Sequence, residues 1–289
     1  MQVSINSYCQ HLKLMGHRVA KSSSTVWVDV RPFIYQPATP FQMDTIRQAD
    51  VDEVLQSANA IACRWFSPLA VSEAAAEPDP LVVYIARPPF NLETLRGDAR
   101  RKTRRGLERV EVRKASLSEE VEALAYPIYV DNIRRVGLMN SRKRILRRWQ
   151  TWAAAIRGSQ CVDFWTAWNE TTLLAFMVAV RTPWGTQFVL HRSAQSSLPL
   201  YPNNALYYQA TKDAFDSGSP IVSTGLSAFA REGDGLHEFK IRMGFEAVPL
   251  REKFAWCAFL RPFESYANSH RLRKLHAWIT RARQLSGTF

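Results

Sequence analysis

Between Leu95 and Leu260 the chain switches between helical and strand periods in a readable order. Leu95, Ala99, Thr103, Leu107 and Val110 recur every three or four residues in a segment otherwise covered by arginine, which predicts a helix with a narrow apolar stripe. Ser118 opens a second predicted helix, with Val121, Leu124, Ala125 and Ile128 on one face. A third starts at Ser141 and aligns Ile145, Leu146, Trp149, Trp152, Ala153 and Ile156. Three strand-like runs follow at 161–168, 172–181 and 186–191, parted by the turn formers Asn169-Glu-Thr and Pro183-Trp-Gly. The pattern then predicts a helix over 204–215, a strand over 220–224, a short helix at Phe239 and two strands within 245–260. Leu272, Leu275, Trp278, Ile279 and Ala282 mark a basic amphipathic helix at 261–289.

The first 90 residues show weaker periodicity. Strands are expected at 26–30 and 81–86, a helix over 48–60 on Val51, Val54 and Leu55, and a surface loop over 74–80. Helices, a three-stranded meander, then helix, strand, helix and strand make an α+β domain, a mixed central sheet flanked by helices. The expected organisation is a shortened or degenerate first unit over 1–94, a main domain over 95–260 and the tail helix.

Charge sharpens the picture once it is located. Of a formal net charge of +12, residues 96–114 carry nine Lys/Arg against three acids, and residues 134–148 carry seven against none. A concentrated basic surface suits a polyanion: nucleic acid, a phosphate-bearing substrate or an anionic membrane. Arg101, Arg104 and Arg105 on the first helix, and Arg144 and Arg148 on the third, are the candidate phosphate-binding residues, because guanidinium forks match phosphate oxygens. The competing reading of the first helix is a solvated face with an Arg104–Glu108 pair. The tail helix suits a membrane surface or packing on the domain. No apolar run reaches a membrane-spanning length, and Met1-Gln-Val-Ser-Ile-Asn lacks the features of a secretory leader, so a cytoplasmic location is expected. Cys9, Cys63, Cys161 and Cys257 show no metal-ligand spacing, Cys161 and Cys257 read as buried thiols beside strand-like residues, and no metal site is expected. No Gly-x-Ser-x-Gly or His-Glu-x-x-His occurs, which leaves hydrolase and metalloenzyme readings without support.

Three segments carry a family resemblance. They are Ala99-Arg-Arg-Lys-Thr-Arg-Arg-Gly-Leu-Glu-Arg, Tyr129-x-x-Asn-x-x-Arg-x-Gly, and the stretch from Asn203-Asn-Ala-Leu-Tyr-Tyr to Glu238-Phe-Lys-x-x-x-Gly-Phe. In this order they resemble GNAT acyltransferases, and more closely the Fem-type peptidoglycan aminoacyltransferases and their bacterial relatives. The resemblance covers roughly residues 95–260 and implies a GNAT-like fold, with aminoacyl-tRNA as co-substrate and no tightly bound cofactor. It implies an acyl group passed directly to an amine of a small-molecule or peptide acceptor, with Lys240 stabilising the transferred acyl group. The bland reading of Lys240 is an exposed residue on a short helix.

Around that core, Asn203 and Asn204 are expected to cap the helix and leave its N-terminus open to an anion or acyl oxygen. Gly225, after the 220–224 strand, permits either a close backbone approach to a donor or a simple turn. Phe239 completes the donor side, chiefly by packing. His191, at a strand end, is the expected general base, ahead of Asp131 and Tyr207. The stretch from Arg192 to Ala205 contains no glycine, unlike the loop that cradles CoA pyrophosphate. Acyl-CoA is therefore the alternative donor, and a non-catalytic nucleic-acid- or membrane-binding protein of the same fold is the third reading.

Overall fold

The computed structural model describes residues 3–43, 45–70, 73, 81–135, 141–227 and 235–260. The expected 74–80 loop and 261–289 helix lie outside the described residues. The described chain packs into two units that interleave along the sequence, where the sequence predicts successive segments with breaks after residues 94 and 260. The first unit takes residues 3–15, 84–225 and 235–247, and the second takes 16–83, 226–227 and 248–260.

In the first unit the strands run in the order β5-β10-β9-β8-β7-β6. They are β5 (Leu81–Ala86), β6 (Glu111–Lys114), β7 (Val162–Asn169), β8 (Thr172–Thr182), β9 (Gly185–Ser193) and β10 (Val222–Ser227). The meander β7-β8-β9 is antiparallel, as the turn chemistry requires, and β8 is buried nearly end to end because helices cover both of its faces. On one face lie α4 (Glu119–Arg135) and α5 (Arg142–Gly158), where Trp149 meets Phe176 edge-on and Phe176 packs on Phe164. Helix α6 (Pro202–Asp216) packs on β7 and β8, and α3 (Ala99–Arg109) packs on α6.

Helix α1 (Ile5–Leu14) belongs to this unit, which its sequence did not announce. Ser4 caps it, and Tyr8 meets Trp184 edge-on at 6.2 Å. Two predicted apolar faces are trimmed by the structure: Leu124 and Leu146 are exposed, while Ala125, Ile128, Ile145, Trp149 and Trp152 are buried. Cys9, Cys63 and Cys161 are buried and Cys257 half-buried, all as free thiols.

The second unit orders its strands β1-β2-β3-β4-β11, with β1 (Val19–Lys21), β2 (Val26–Arg31), β3 (Ile34–Pro37), β4 (Ala62–Pro68) and the larger part of β11 (Glu246–Trp256). The two strands expected within 245–260 are this one strand, and it pairs antiparallel with β4 from Leu250 to Trp256. Helix α2 (Gln48–Ser57) lays Val51 and Val54 on Trp27, Tyr35 and Cys63. Buried Asp50 accepts hydrogen bonds from the Ser23 hydroxyl and from the Ser24 and Arg47 N–H groups, which fixes the start of α2.

Candidate active site

Parallel strands β9 and β10 are joined through Thr186–Val222 and Gln187–Ser223. Beyond these pairs β9 continues to Ser193 and β10 to Ser227, with no ladder pair between them among the described residues. The sheet thus opens at the carboxyl ends of two neighbouring parallel strands, where open α/β sheets take their ligands. A bulge re-aims β9 at the same place: Leu190 faces Val178 and Phe188 faces Ala179, leaving Val189 unpaired on β8. One extra residue shifts the in–out alternation. Phe188 and His191, three positions apart, therefore both meet the Tyr207 ring edge-on, at 5.7 and 5.0 Å between centroids.

Helix α6 starts at this opening. Its cap is Tyr201, held at φ 58° with no side-chain cap bond, and Pro202 is the first helical residue. Asn203 and Asn204 therefore sit inside the first turn, and the expected capping role is not theirs. The Asn203 Oδ1 accepts from His191 Nε2 at 3.0 Å, and Asn204 Nδ2 donates to the Met243 sulfur at 3.3 Å. The first-turn N–H groups, with no side chain capping them, are left to an outside acceptor and carry the positive end of the helix dipole. Gly106 of α3 makes this arrangement possible, because a Cβ there would lie 2.8 Å from the Tyr201 carbonyl oxygen.

His191 is held neutral. Burial, and then the charge of Arg192, bring its pKa down to about 4, against the opposing pull of the Asn203 bond. With Nε2–H given to Asn203, its Nδ1 is a weak base at pH 7, so the side chain serves better to fix Asn203 than to abstract a proton. Tyr207 is buried and its phenol is pushed up by burial, so it stays protonated, and Asp131 is exposed on α4.

Helix α7 (Gly235–Arg242) supplies the other side. Phe239 meets Tyr207 edge-on at 5.0 Å, joining α7 to the His191–Asn203 cluster. Lys240, the next residue, is 6% exposed rather than solvated, with its Nζ 4.1 Å from the centre of the Tyr84 ring. The Tyr84 hydroxyl is 2.8 Å from His237 Nδ1. Tyr84 and His237 escaped the sequence reading, although His237 lies one turn from Lys240 on α7 and shares its face. Gly225 lies within β10 rather than after it, on the open arm, at φ 80°, where an L side chain would be strained.

The predicted arginines separate. Arg101, Arg104 and Arg105 are exposed on α3, and Arg104 pairs with Glu93 at 3.3 Å rather than with Glu108. Arg105 precedes the glycine that touches Tyr201, at the α6 N-terminus. Arg144 is exposed on α5, with Arg142, Lys143 and Arg147 beside it, and among the described residues none of these four makes an ion pair. Arg148 is half-buried, and burial lowers the pKa of its guanidinium. A separate groove of about 450 Å³ lies at the other end of β9, but its charged lining is self-paired, Lys114 with Asp213 at 2.7 Å and Arg181 with Asp163 at 3.2 Å. Among the described residues no group of side chains could hold a metal ion, and no helix is long and apolar enough to cross a membrane.

The fold has solved counterparts. FemX superposes with a TM-score of 0.64 at 12% identity, over 91% of this chain and 93% of that one. The C-terminal domain of a putative lysylphosphatidylglycerol synthetase from Agrobacterium fabrum superposes with a TM-score of 0.53 at 12% identity, over 87% of each chain. L-PGS from Bacillus licheniformis gives 0.53 at 14% identity, over 91% of each. No family model and no curated protein matches the sequence. The likeness is one of architecture: the chain has a GNAT-like fold of the Fem-type arrangement.

Proposed function

We propose that the chain is an N-acyltransferase that takes its acyl group from aminoacyl-tRNA and passes it to an amine of a small-molecule or peptide acceptor. The observation that carries this reading is the opening between β9 and β10, with the uncapped α6 N-terminus at its mouth and a buried lysine on α7. In the proposed reaction the amine nitrogen attacks the ester carbonyl and forms a tetrahedral oxyanion. The oxyanion collapses by releasing the tRNA 3′-terminal ribose oxygen, which takes up the proton the amine loses. First-turn N–H groups of α6 and the Lys240 ammonium are the groups of suitable charge to stabilise that oxyanion. The name of the Agrobacterium neighbour, a putative lysylphosphatidylglycerol synthetase, also favours an aminoacyl group over an acetyl group.

Acyl-CoA fits less well. The segment before α6 is a 3-10 turn, Gln195–Leu200, pinned by the Ser197 hydroxyl to the carbonyls of Leu174 and Ala194, and it offers no glycine for pyrophosphate to approach. A ligand that binds only the native state raises Tm, so the test is thermal unfolding with each donor. The reading expects a rise with a non-hydrolysable aminoacyl-tRNA analogue and none with acetyl-CoA or longer acyl-CoA. A rise with CoA alone would move the alternative donor ahead.

A further inference from the structure

His237 and Lys240 lie one turn apart on α7 and share a face of that helix. Both meet Tyr84 of β5, a residue only 1% exposed. The Lys240 Nζ lies 4.1 Å from the centre of the Tyr84 ring, and the Tyr84 hydroxyl is 2.8 Å from His237 Nδ1. The imidazole tilts against the same ring at 60°, with 5.7 Å between centroids. One phenol thus spans the gap between an ammonium and an imidazole, close enough for both to serve one tetrahedral centre.

The two nitrogens of His237 are in different situations. Nδ1 is taken by Tyr84, whereas Nε2 makes no hydrogen bond among the described residues, and the side chain is half-buried rather than enclosed. An imidazole fixed through one nitrogen and open at the other is the form an oriented base takes. His191 is the opposite case, with Nε2 given to Asn203 and a pKa that burial brings down to about 4. The proposed reaction moves a proton from the attacking amine to the ribose oxygen, and His237 is the histidine placed to carry it.

We infer that His237 is the catalytic base of the acyl transfer and that Tyr84 is its positioning residue. This rests on the acyl-transfer reading. Nδ1–H donates to the Tyr84 oxygen, which leaves the lone pair of Nε2 free. As the amine nitrogen bonds to the ester carbonyl carbon, Nε2 takes one of its protons, while the Lys240 ammonium faces the oxyanion. When the carbon–oxygen bond to the ribose breaks, the same proton passes from Nε2 to the leaving oxygen. The imidazole is neutral again, and no other reactant is consumed.

The test is single-turnover transfer from an aminoacyl-tRNA pool to glycinamide, a small amine that needs no recognition of a larger acceptor. His237→Gln keeps a hydrogen-bonding group for Tyr84 but accepts no proton, so the rate should fall about 10²–10⁴-fold with donor affinity unchanged. Were His237 only a partner for a buried phenol, glutamine would preserve the rate. His237→Ala should lose as much and regain part of it when imidazole is added, because free imidazole replaces the proton acceptor. Tyr84→Phe keeps the ring under Lys240 and should slow transfer about tenfold, the worth of one hydrogen bond. Diethyl pyrocarbonate gives a readout that needs no turnover: it should modify His237 and spare buried His191, and a non-hydrolysable aminoacyl-tRNA analogue should protect His237. Wild-type rates in His237→Gln, no rescue by imidazole, or modification that the analogue does not slow would overturn the role of His237 and leave the acyl-transfer reading standing. A wild type that does not accelerate transfer at all would remove that reading, and this inference with it.

Discussion

Lys240 and His191 exchange standing when burial is taken into account. An exposed lysine on a short helix would be replaceable, but one 6% exposed over an aromatic face holds its charge in one place. By analogy with the removal of one oxyanion-hole donor, Lys240→Ala should lower kcat by about 10²–10³, roughly 3–4 kcal/mol, with the far-UV spectrum unchanged. Single-turnover transfer rates check this. His191 makes a different prediction, through stability. Its pKa of about 4 lies below the ordinary histidine value near 6.5, so between those limits the unfolded chain binds a proton that the native chain refuses. Stability therefore rises with pH across roughly pH 4 to 6.5 and is level above it, the histidine's share amounting to about 2–3 kcal/mol. Denaturant titrations of wild type and His191→Gln across that window should show this portion of the slope only in the wild type.

At the scale of elements, contact between α3 and α6 sets the mouth of the site. Gly106→Ala would place a methyl carbon 2.8 Å from the Tyr201 carbonyl oxygen, a backbone atom that cannot swing aside. Overpacking of this kind costs about 1–3 kcal/mol, so Tm should fall by several degrees and donor binding should weaken with it. Thermal unfolding with and without a bound aminoacyl-tRNA analogue measures both. Much of this unit could be read from the chain, since the meander, α5 and α6 carry strong periodicity and clear turn residues. What escaped did so for physical reasons. Strand β6, Glu111-Val-Arg-Lys, has almost no apolar signal because it is an edge strand, and its Arg113 and Lys114 cover Trp168 and Trp165 through cation–π contacts at 5.2 Å. Helix α1 is short and joins a unit whose other residues begin some 70 positions later, a distance local periodicity cannot bridge. The site was legible as a stretch of sequence but not as an arrangement. The Val189 bulge, which sets His191 and Phe188 on one ring, leaves no mark in residue type, and neither does the left-handed Tyr201 that displaces the asparagines from the cap.

For the whole molecule, the net charge of +12 and the face of α5 that makes no ion pair among the described residues argue for a polyanion partner. Arg142, Lys143, Arg144 and Arg147 lie exposed together, so each phosphate contact they make to a tRNA should add about 0.7–0.9 to the slope of log affinity against log salt. Replacing all four with glutamine should flatten that slope and weaken charged and uncharged tRNA alike, because the proposed acyl site lies at the opening between β9 and β10 and not on this surface. In the proposed reaction the acyl group binds at the opening between β9 and β10, and one measurement addresses this directly. Binding of an aminoacyl-tRNA pool is followed with deacylated tRNA as competitor, for wild type and Lys240→Ala. The account predicts that wild type prefers the charged form and that Lys240→Ala loses the preference while keeping its affinity for tRNA. Equal binding of charged and deacylated tRNA by the wild type would contradict it, and would reduce the basic surface to general electrostatics.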